Sequence, residues 1–485
     1  IPSNKASNTV TASYVNVASE DGAQNPFVYS GIECDVQPAD SSAGYDAIWL
    51  ECETLPGIGT NLTWTVTVGN QNSDAFVWGG SSYAVPVVSS VSASTLKLPT
   101  VPPSVATTLT LQGEAFGPGS LSLYSRRSLH VTYGPVSDVD KYDVSQHCSI
   151  SRDHEEIVCS TTAKGVGADM RFVVRVGGQI AATATPVPAL DYQPPTIDDI
   201  TCNGDPSCLL PTDGNTAIHI HGSSFGPLTD VSDTTTVSVR YGPSADNLLY
   251  VAKQCGVTTE DTVIVCSEAA EGVGESMHYE LTVFGQTATF GPGLGYRPPI
   301  ISRVELSSGS ISNGLSTVGS ESLVIYGSHF GPVSSSPLAV TYGPVSNVTL
   351  YDITTLCSTI RGDSAVSANH RLECQTLPGV GSGFHLKVDA GGQVATLSAA
   401  FAYTAPAIET GSNWIRIASQ VSPEQTMGTT GSTPVFISGS NFGPLRTDSL
   451  DVVLTVTYGP TGVEYEAQLC KHVSAHTDIE CRTAP

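Results

Sequence analysis

Two groups of residues in this 485-residue sequence could take part in recognition or ion binding. Arg361-Gly362-Asp363 is a tripeptide of the kind that integrins bind, but the same residues also suit a polar turn, which we favour. Asp138, Asp140 and Asp143 form a small acidic cluster. This cluster lacks the glycine and the closing glutamate of a calcium-binding loop, so the sequence favours a solvated turn here as well.

The sequence offers little that could support catalysis. His219 and His221 would project to the same face of one strand, and no third metal ligand is spaced nearby. A His-Glu-x-x-His motif is absent, and so is a Gly-x-Ser-x-Gly motif with plausible catalytic partners. We also find no nucleophile–base pair and no repeated carboxylate pair. The sequence therefore predicts a protein that is not an enzyme and that holds neither a metal nor a cofactor.

Two sequons predict covalent glycans. Asn61-Leu62-Thr63 and Asn347-Val348-Thr349 both have the Asn-x-Thr pattern that is modified in secreted proteins. The alternative is that each asparagine is an unmodified turn or strand residue.

The charge of the chain excludes some partners. Its formal net charge is −25, with 20 Lys and Arg against 45 Asp and Glu, so a phosphate backbone would be repelled and nucleic-acid binding is not expected. No apolar run approaches the roughly 18 residues that a membrane-spanning helix needs, so no membrane insertion is expected within this segment. The chain begins at Ile1 without a visible signal peptide, which suggests a processed or truncated start.

Three short motifs recur along the chain in the same order and at similar spacing. Phe-Gly-Pro recurs at intervals of 109, 105 and 112 residues, and Tyr-Gly-Pro and Tyr-x-x-Pro keep the same phase. Phe-Gly-Pro begins at Phe116, Phe225, Phe330 and Phe442; Tyr-Gly-Pro at Tyr133, Tyr241, Tyr342 and Tyr458; and Tyr-x-x-Pro at Tyr83, Tyr192, Tyr296 and Tyr403. The predicted repeats 1 to 5 are residues 1–86, 87–195, 196–299, 300–406 and 407–485.

Within each repeat the pattern predicts short strands separated by turns, which is typical of an all-β sandwich. Charged residues make up only 13% of the chain, and no window has a helical apolar stripe of useful length. The predicted strands are 108–111, 129–132, 170–176, 217–220, 237–240, 279–283, 323–325, 338–341, 384–388, 435–437 and 453–457.

The 12 cysteines indicate an oxidising compartment, so the protein is expected to be extracellular or at the cell surface. A pair falls in the same slot of each repeat, between Tyr-Gly-Pro and Gly-Val-Gly, so we pair the cysteines within repeats. The predicted disulfides are Cys34–Cys52, Cys148–Cys159, Cys255–Cys266, Cys357–Cys374 and Cys470–Cys481, with Cys202–Cys208 closing a small extra loop. Five pairs of buried thiols are the alternative.

The Gly-x-x-Phe-Gly-Pro turn, the Tyr-Gly-Pro turn and the late Cys-x-x-Pro-x-Gly-x-Gly pattern resemble IPT/TIG domains. These are immunoglobulin-like sandwiches of plexins, related receptors, some transcription factors and large surface proteins with tandem copies. The resemblance covers nearly the whole chain, and the cysteine slot and the Gly-Gln hairpin resemble the extracellular, tandem-repeat branch. It implies a linear rod of Ig-like domains. The basic DNA-contacting loops of the transcription-factor branch are missing.

The first and last repeats differ from the other three. Repeat 1 lacks the opening strands, and repeat 5 lacks the Gly-Val-Gly segment and the closing strands. Either the true chain is longer at both ends, or incomplete sandwiches are filled by a strand of another subunit. The second interpretation predicts a head-to-tail homopolymer, because a heterologous contact that does not close makes a fibre.

Three functions therefore remain open. The first is a structural protein, a subunit of a glycosylated extracellular filament. The second is the ectodomain fragment of a plexin-like adhesion receptor that binds protein or glycan partners. The third is a set of accessory domains of a carbohydrate-active enzyme, since IPT/TIG domains also accompany such enzymes.

Overall fold

The structure is a computed structural model. It describes residues 10–16, 27–38, 42, 49–77, 81–100, 107–120, 128–183, 189–230, 235–332, 338–361, 370–410, 415–417, 426–445 and 453–485.

The described residues are almost entirely β-strands, and each sheet takes its strands from one predicted repeat. Residues 1–86 contribute β1 (Val10–Asn16), β2 (Phe27–Gln37), β3 (Trp49–Cys52), β4 (Leu62–Val68), β5 (Gln71–Asn72) and β6 (Phe76–Val77). Residues 87–195 contribute β7 (Val87–Ala93), β8 (Leu109–Glu114), β9 (Leu129–Gly134), β10 (Tyr142–Asp143), β11 (Cys148–Arg152), β12 (Glu156–Cys159), β13 (Arg171–Val176), β14 (Gln179–Ile180) and β15 (Ala182–Thr183). The domain boundaries themselves remain a prediction.

The next two repeats have the same element order. Residues 196–299 contribute β16 (Thr196–Cys202), β17 (Ile218–Ser223), β18 (Val237–Gly242), β19 (Tyr250–Val251), β20 (Lys253–Thr259), β21 (Val263–Glu268), β22 (His278–Val283) and β23 (Gln286–Phe290). Residues 300–406 contribute β24 (Ile300–Leu306), β25 (Ser322–Ser328), β26 (Leu338–Gly343), β27 (Tyr351–Asp352), β28 (Cys357–Arg361), β29 (His370–Gln375), β30 (Phe384–Ala390) and β31 (Gln393–Phe401).

Residues 407–485 contribute β32 (Ala407–Ile408), β33 (Ile415–Ile417), β34 (Pro434–Ser440), β35 (Thr457–Tyr458), β36 (Tyr465–Glu466), β37 (Gln468–Ser474) and β38 (Asp478–Arg482). The described residues also include short 3₁₀ turns at Ser145–His147, Ile311–Asn313 and Thr354–Leu356.

Each of the three middle repeats is a two-layer sandwich. In repeat 3 one sheet has the order β16-β17-β21-β20 and the other has the order β19-β18-β22-β23, and repeat 4 follows the same order. Repeat 2 differs by one strand, because β15 crosses to the first sheet and pairs in parallel with β7. Alternate residues of β22 and β30 are buried, as expected for strands with one face on a core. The predicted tandem Ig-like sandwich fold is confirmed.

The first glycine of Gly-x-x-Phe-Gly-Pro lies where two layers meet. At Gly327, an added Cβ would overlap the carbonyl oxygen of Ile300 on the neighbouring strand and the ring of Phe330. The Phe330 ring is fully buried. The residue before it, His329, has a φ of 61°. This turn therefore brings a phenylalanine under the first strand of the sandwich, and only glycine leaves room for it.

Repeats 1 and 5 are built from fewer described strands. Residues 10–77 form one sheet in which β2 pairs first with β1 and then with β3, and the order is β3-β2-β1-β4-β5. In repeat 3 the strand β17 lies beside β21, which corresponds to β3 of repeat 1. In the described part of repeat 1, no strand occupies the matching place beside β3. In repeat 5 the strand predicted at 453–457 is wrong in extent, because the observed strand β35 contains only Thr457 and Tyr458. It pairs with one strand, β36, over these two residues.

Candidate functional site: the junctions between repeats

Each of the first four repeats contains a pair of tyrosines whose hydroxyls hydrogen-bond to each other. The Tyr of Tyr-Gly-Pro, or Tyr14 in repeat 1, meets the Tyr of Tyr-x-x-Pro. The oxygen–oxygen distances are 2.5 Å for Tyr14 and Tyr83, 2.9 Å for Tyr133 and Tyr192, 2.9 Å for Tyr241 and Tyr296, and 2.7 Å for Tyr342 and Tyr403. The pair also joins the backbone: Tyr296 donates to the carbonyl of Ala270 at 2.8 Å, and the Ala270 amide donates to Tyr241 at 2.8 Å.

A second tyrosine holds the Gly-Val-Gly segment. The hydroxyl of Tyr250 accepts from the amide of Val273 at 3.1 Å and donates to the carbonyl of the same residue at 3.0 Å. The same two-bond arrangement joins Tyr29 to Ile58, Tyr142 to Val166 and Tyr351 to Val380. One side chain thus satisfies both backbone groups of a single residue and presents that residue in a fixed orientation.

The residue held in this way packs into the next repeat, and we call it the knob. Val166 is 4% exposed and belongs to the apolar core of repeat 3, although it lies in repeat 2. Val273 joins the core of repeat 4 in the same way, and Ile58 joins that of repeat 2. The fourth knob, Val380, lies against Gly443 of repeat 5. The cores of repeats 2, 3 and 4 are therefore each completed by one residue from the repeat before.

Glycines form the socket that receives the knob. A Cβ on Gly391 would lie 2.9 Å from the Val273 Cγ2 atom and 2.9 Å from the Gly274 amide nitrogen. A Cβ on Gly177 would lie 3.1 Å from the Ile58 Cβ atom. Both glycines also have a positive φ, of 64° and 57°. In repeats 2 and 4 the first glycine of the hairpin thus serves both the turn and the close approach of the preceding repeat. In repeat 3 Phe284, with a φ of 45°, takes this position, and the Val166 knob lies against Gly226 of the Phe-Gly-Pro turn.

The glutamine of this hairpin ties the two repeats together through the backbone. Gln179 Nε2 donates to the carbonyl of Tyr83 at 3.1 Å, Gln286 Nε2 to that of Tyr192 at 3.0 Å, and Gln393 Nε2 to that of Tyr296 at 2.9 Å. The acceptor in each case is the tyrosine that closes the preceding repeat. These contacts connect the Gly-Gln hairpin to the Tyr-x-x-Pro motif across the first three boundaries, a role that the interpretation of both motifs as turns missed.

Polar contacts around the junctions differ from one boundary to the next. Between repeats 2 and 3, Lys164 pairs with Glu260 at 2.7 Å and the Thr100 hydroxyl donates to Asp261. Between repeats 4 and 5, His476 Nδ1 lies 3.0 Å from the hydroxyl of Thr317. Burial, with a smaller effect of the neighbouring His472, lowers the pKa of His476. The apolar knob is therefore common to the junctions, and the polar surroundings distinguish them.

An open cavity of about 790 Å³ lies beside the junction between repeats 3 and 4. The Cys202–Cys208 loop, residues 292–295 and residues 392–394 line it, and Asp199 and Glu275 also contribute to the lining. It combines a loop that is particular to repeat 3 with the hairpin of the next repeat.

The buried tyrosines make the fold sensitive to alkali. Burial raises the pKa of Tyr241 and of Tyr342 to about 12, and it raises the pKa of Tyr192, Tyr296 and Tyr403 further. A raised tyrosine pKa means that the stabilisation is fully present below the unfolded pKa of about 10 and is lost as pH rises through the folded pKa.

We expect cooperative unfolding above pH 10, with about 3 kcal/mol lost for each tyrosine whose pKa is near 12. Absorbance of tyrosinate and circular dichroism, followed together, should change in one step. A smooth ionisation near pH 10 with unchanged circular dichroism would contradict the expectation, because it would mean that the hydroxyls are accessible in the folded repeats.

All 12 cysteines are joined in disulfides: Cys34–Cys52, Cys148–Cys159, Cys202–Cys208, Cys255–Cys266, Cys357–Cys374 and Cys470–Cys481. The five pairs that recur link directly opposed residues of two adjacent strands, with Cα–Cα distances between 3.9 and 4.3 Å. Disulfides of this number indicate an oxidising, extracellular environment.

Both sequon asparagines are exposed. Asn61 has a φ of 50°, and Asn347 accepts a hydrogen bond from the Thr349 hydroxyl at 3.0 Å. We expect Asn61→Gln and Asn347→Gln each to lower the intact mass of the secreted protein by one N-glycan. Asn215→Gln is the control, since Asn215 is exposed but lies outside a sequon. A mass that glycosidase treatment leaves unchanged would rule out both sites.

The other candidate recognition residues have structural roles or lie outside the described chain. Arg361 ends β28, and Gly362 and Asp363 lie outside the described residues. Asp140 accepts hydrogen bonds from Arg175 and Thr132, which lower its pKa, and Asp143 accepts from the amide of Ser145 at 2.8 Å. These contacts use the carboxylates of Asp140 and Asp143 to fix the local chain.

The histidine pair lies on β17, where Thr201 and Asp199 of β16 oppose His219 and His221. Burial lowers the pKa of His219. The described residues contain no group of three or more His, Cys, Asp or Glu side chains placed to hold a metal ion. No helix in the described part of the chain is long and apolar enough to cross a membrane.

The sheets and the junctions define the class: a tandem series of Ig-like β-sandwiches joined by knob-and-socket contacts. No protein-family model and no curated protein matches the chain. Among solved structures, the chain is similar to a protein crystallised with a xylogluco-oligosaccharide (14% identity, TM-score 0.23, 74% of this chain and 70% of that one). It is also similar to the plexin A4 extracellular region (12%, 0.20, 82% and 45%) and to the I9–I11 tandem of titin (11%, 0.22, 64% and 97%).

Proposed function

We propose that this protein is an extracellular structural protein, a subunit of a glycosylated cell-surface or secreted filament whose Ig-like repeats join head to tail as a rod. The observation that carries the proposal is the recurring junction, in which the knob of one repeat completes the core of the next. The proposal keeps the assignment of the repeats to the extracellular branch of IPT/TIG domains, on the strength of their sequence motifs.

The contacts at the junction favour a stiff array over a flexible one. Domains in one chain move independently unless their interface is extensive and apolar. Here the knob is buried in the next core, a glutamine bonds across the boundary, and the first strand of each new repeat begins directly after the closing Tyr-x-x-Pro. An array held in this way keeps its length and orientation, which suits a spacer or filament and is unnecessary for independent binding modules.

The same socket elements are exposed on repeat 1. In the hairpin Gly69-Asn70-Gln71, Gln71 is exposed, and no described atom lies within 4 Å of the position that a Cβ on Gly69 would take. One edge of β3 also carries no described strand. We propose that a strand of a second copy complements β3 and that the same copy packs against this hairpin.

Negative-stain microscopy of the native material tests this assembly. Filaments are expected for the native protein and for Asn70→Asp, whereas Gln71→Glu should leave single rods because it removes the donor and adds a charge at the contact. Monodisperse rods at every concentration would refute the homopolymer. Rods in which residues 69–71 are protected from hydrogen exchange would show instead that a preceding segment of the same polypeptide occupies the hairpin.

A second candidate is a binding module, because the cavity between repeats 3 and 4 could admit a small polar ligand. Soluble oligosaccharides should then raise the unfolding temperature of the full chain, and Glu275→Gln should reduce that shift, whereas Glu280→Gln, on the exposed side of β22, should not. The absence of any shift across the oligosaccharides tested would remove this candidate.

A further inference from the structure

The first and last segments of each middle repeat are joined in parallel. Leu98 forms a parallel bridge with Tyr192, Leu210 with Tyr296, and Leu315 with Tyr403. In repeat 3 the Leu210 amide donates to the Gly295 carbonyl at 2.9 Å, and the Arg297 amide donates to the Leu210 carbonyl at 2.9 Å. The same two bonds, at 2.8 Å, hold Leu98 and Leu315. All three leucines are fully buried.

Two further bonds lock each bridge to the Gly-Val-Gly segment. In repeat 3 the Tyr296 amide donates to Gly274 at 2.7 Å, and the Gly272 amide donates to Thr212 at 3.1 Å. The Tyr296 hydroxyl is bonded to Tyr241 as described above. The bridge and its neighbours form a compact patch between the segment that enters the repeat and the segment that leaves it.

The direction of the strands decides how this patch responds to tension. Repeats joined in series are pulled at the first residue of each and at the last. Because the bridged segments run parallel, tension draws one past the other along their length and loads both hydrogen bonds at once. Antiparallel strands pulled from the same end would instead open one bond at a time.

We propose that the parallel bridge is the mechanical clamp of each repeat, and that the chain bears tension along its length. This proposal rests on the proposed structural function. It adds that each repeat resists tension along the chain and that the parallel bridge is the contact that resists it. Strand β24 or its equivalents can peel away from the sheet, but the repeat stays closed until the bridge breaks.

Repeat 2 has more of these contacts than repeats 3 and 4. Its β15 pairs in parallel with β7 at Val87 and Val88, the Ala182 amide donates to the Pro86 carbonyl at 2.8 Å, and Lys97 pairs with Asp191 at 2.5 Å. The clamp hypothesis therefore predicts that repeat 2 is the last of the three to unfold under tension.

Single-molecule pulling of the full, oxidised chain tests the clamp and the prediction that repeat 2 unfolds last. Repeat 2 is distinguishable from repeats 3 and 4 by its gain in length, since it hides one 11-residue disulfide loop, whereas repeat 3 hides loops of 11 and 6 residues and repeat 4 hides one of 17. Repeat 3 is told from repeat 4 as the event whose rate responds to a substitution in repeat 3. Arg297→Pro removes the amide that closes the clamp of repeat 3. At constant force, it should make that repeat unfold about fivefold faster, the effect of losing one hydrogen bond of about 1 kcal/mol at the barrier.

Asn247→Pro is the matched control, because it removes an exposed amide that donates to Ser244 at 3.0 Å in a turn of the same repeat that tension does not cross. Both variants should lose similar stability in denaturant, but only Arg297→Pro should change the rate under force. Equal rates for the two variants, or repeat 2 unfolding before repeats 3 and 4, would overturn the proposal. If Arg297→Pro fails to fold, Thr404→Pro repeats the test in repeat 4. Filament formation is scored separately by microscopy, so the failure of one proposal does not conceal that of the other.

Discussion

Replacing Gly327 with alanine is expected to unfold repeat 4, with a loss of more than about 4 kcal/mol of stability. The new methyl group would overlap the carbonyl of Ile300, which is backbone and is held by the pairing of β24 with β25. It would also overlap the buried Phe330 ring. Neither neighbour can move without opening the first strand or the core.

Gly383→Ala is the control for this change. Gly383 has a φ of 65°, and no atom lies within 4 Å of the position that its Cβ would take, so alanine there meets only the cost of a left-handed backbone, about 1 kcal/mol. Hydrogen exchange of the β30 amides in denaturant measures repeat 4 separately from the rest of the chain. Similar losses for the two variants would show that the first strand yields more easily than the packing implies.

Gly391→Ala is expected to separate repeat 4 from repeat 3 without unfolding either one. The added methyl group meets Val273 and the backbone of Gly274 across the boundary, so the knob and the hairpin must move apart. A buried valine contributes roughly 2 kcal/mol, and repeat 4 should lose about this amount because Val273 is part of its core.

Gly392→Ala isolates the contribution of the junction. Gly392 also has a positive φ, of 88°, and its Cβ would meet no atom within 4 Å. Both substitutions therefore strain the hairpin in the same way. Spin-label distances between the two repeats should broaden for Gly391→Ala and stay narrow for Gly392→Ala. If both variants keep narrow distances, the junction does not depend on the knob.

Much of the fold could be predicted because its signals are local. The prediction of a strand at 237–240 falls within β18, where buried and exposed residues alternate up to the Tyr-Gly-Pro turn. The cysteine pairs could be predicted for the same reason, since the two cysteines of each recurring pair lie on neighbouring strands of one hairpin. The strand predicted at 453–457 was too long because apolar residues indicate a strand only where a neighbouring strand pairs with them.

The junction could not be predicted in the same way. A single valine between two glycines is typical of a turn, and nothing in its neighbourhood indicates that Val166 or Val273 contributes to the core of the following unit. One signal was available and missed: a tyrosine follows Tyr-Gly-Pro by nine residues at Tyr142, Tyr250 and Tyr351. Its recurrence marks the residue that fixes the knob.

The position of the knob gives the array a direction of folding. Because Val166 lies in repeat 2 and completes the core of repeat 3, each repeat offers a finished surface to the one synthesised after it. Domains fold as they emerge from the ribosome, the N-terminal ones first. The growing chain is therefore expected to fold vectorially, each repeat acting as a template for its successor, and a damaged repeat should weaken the repeat that follows it more than the one that precedes it.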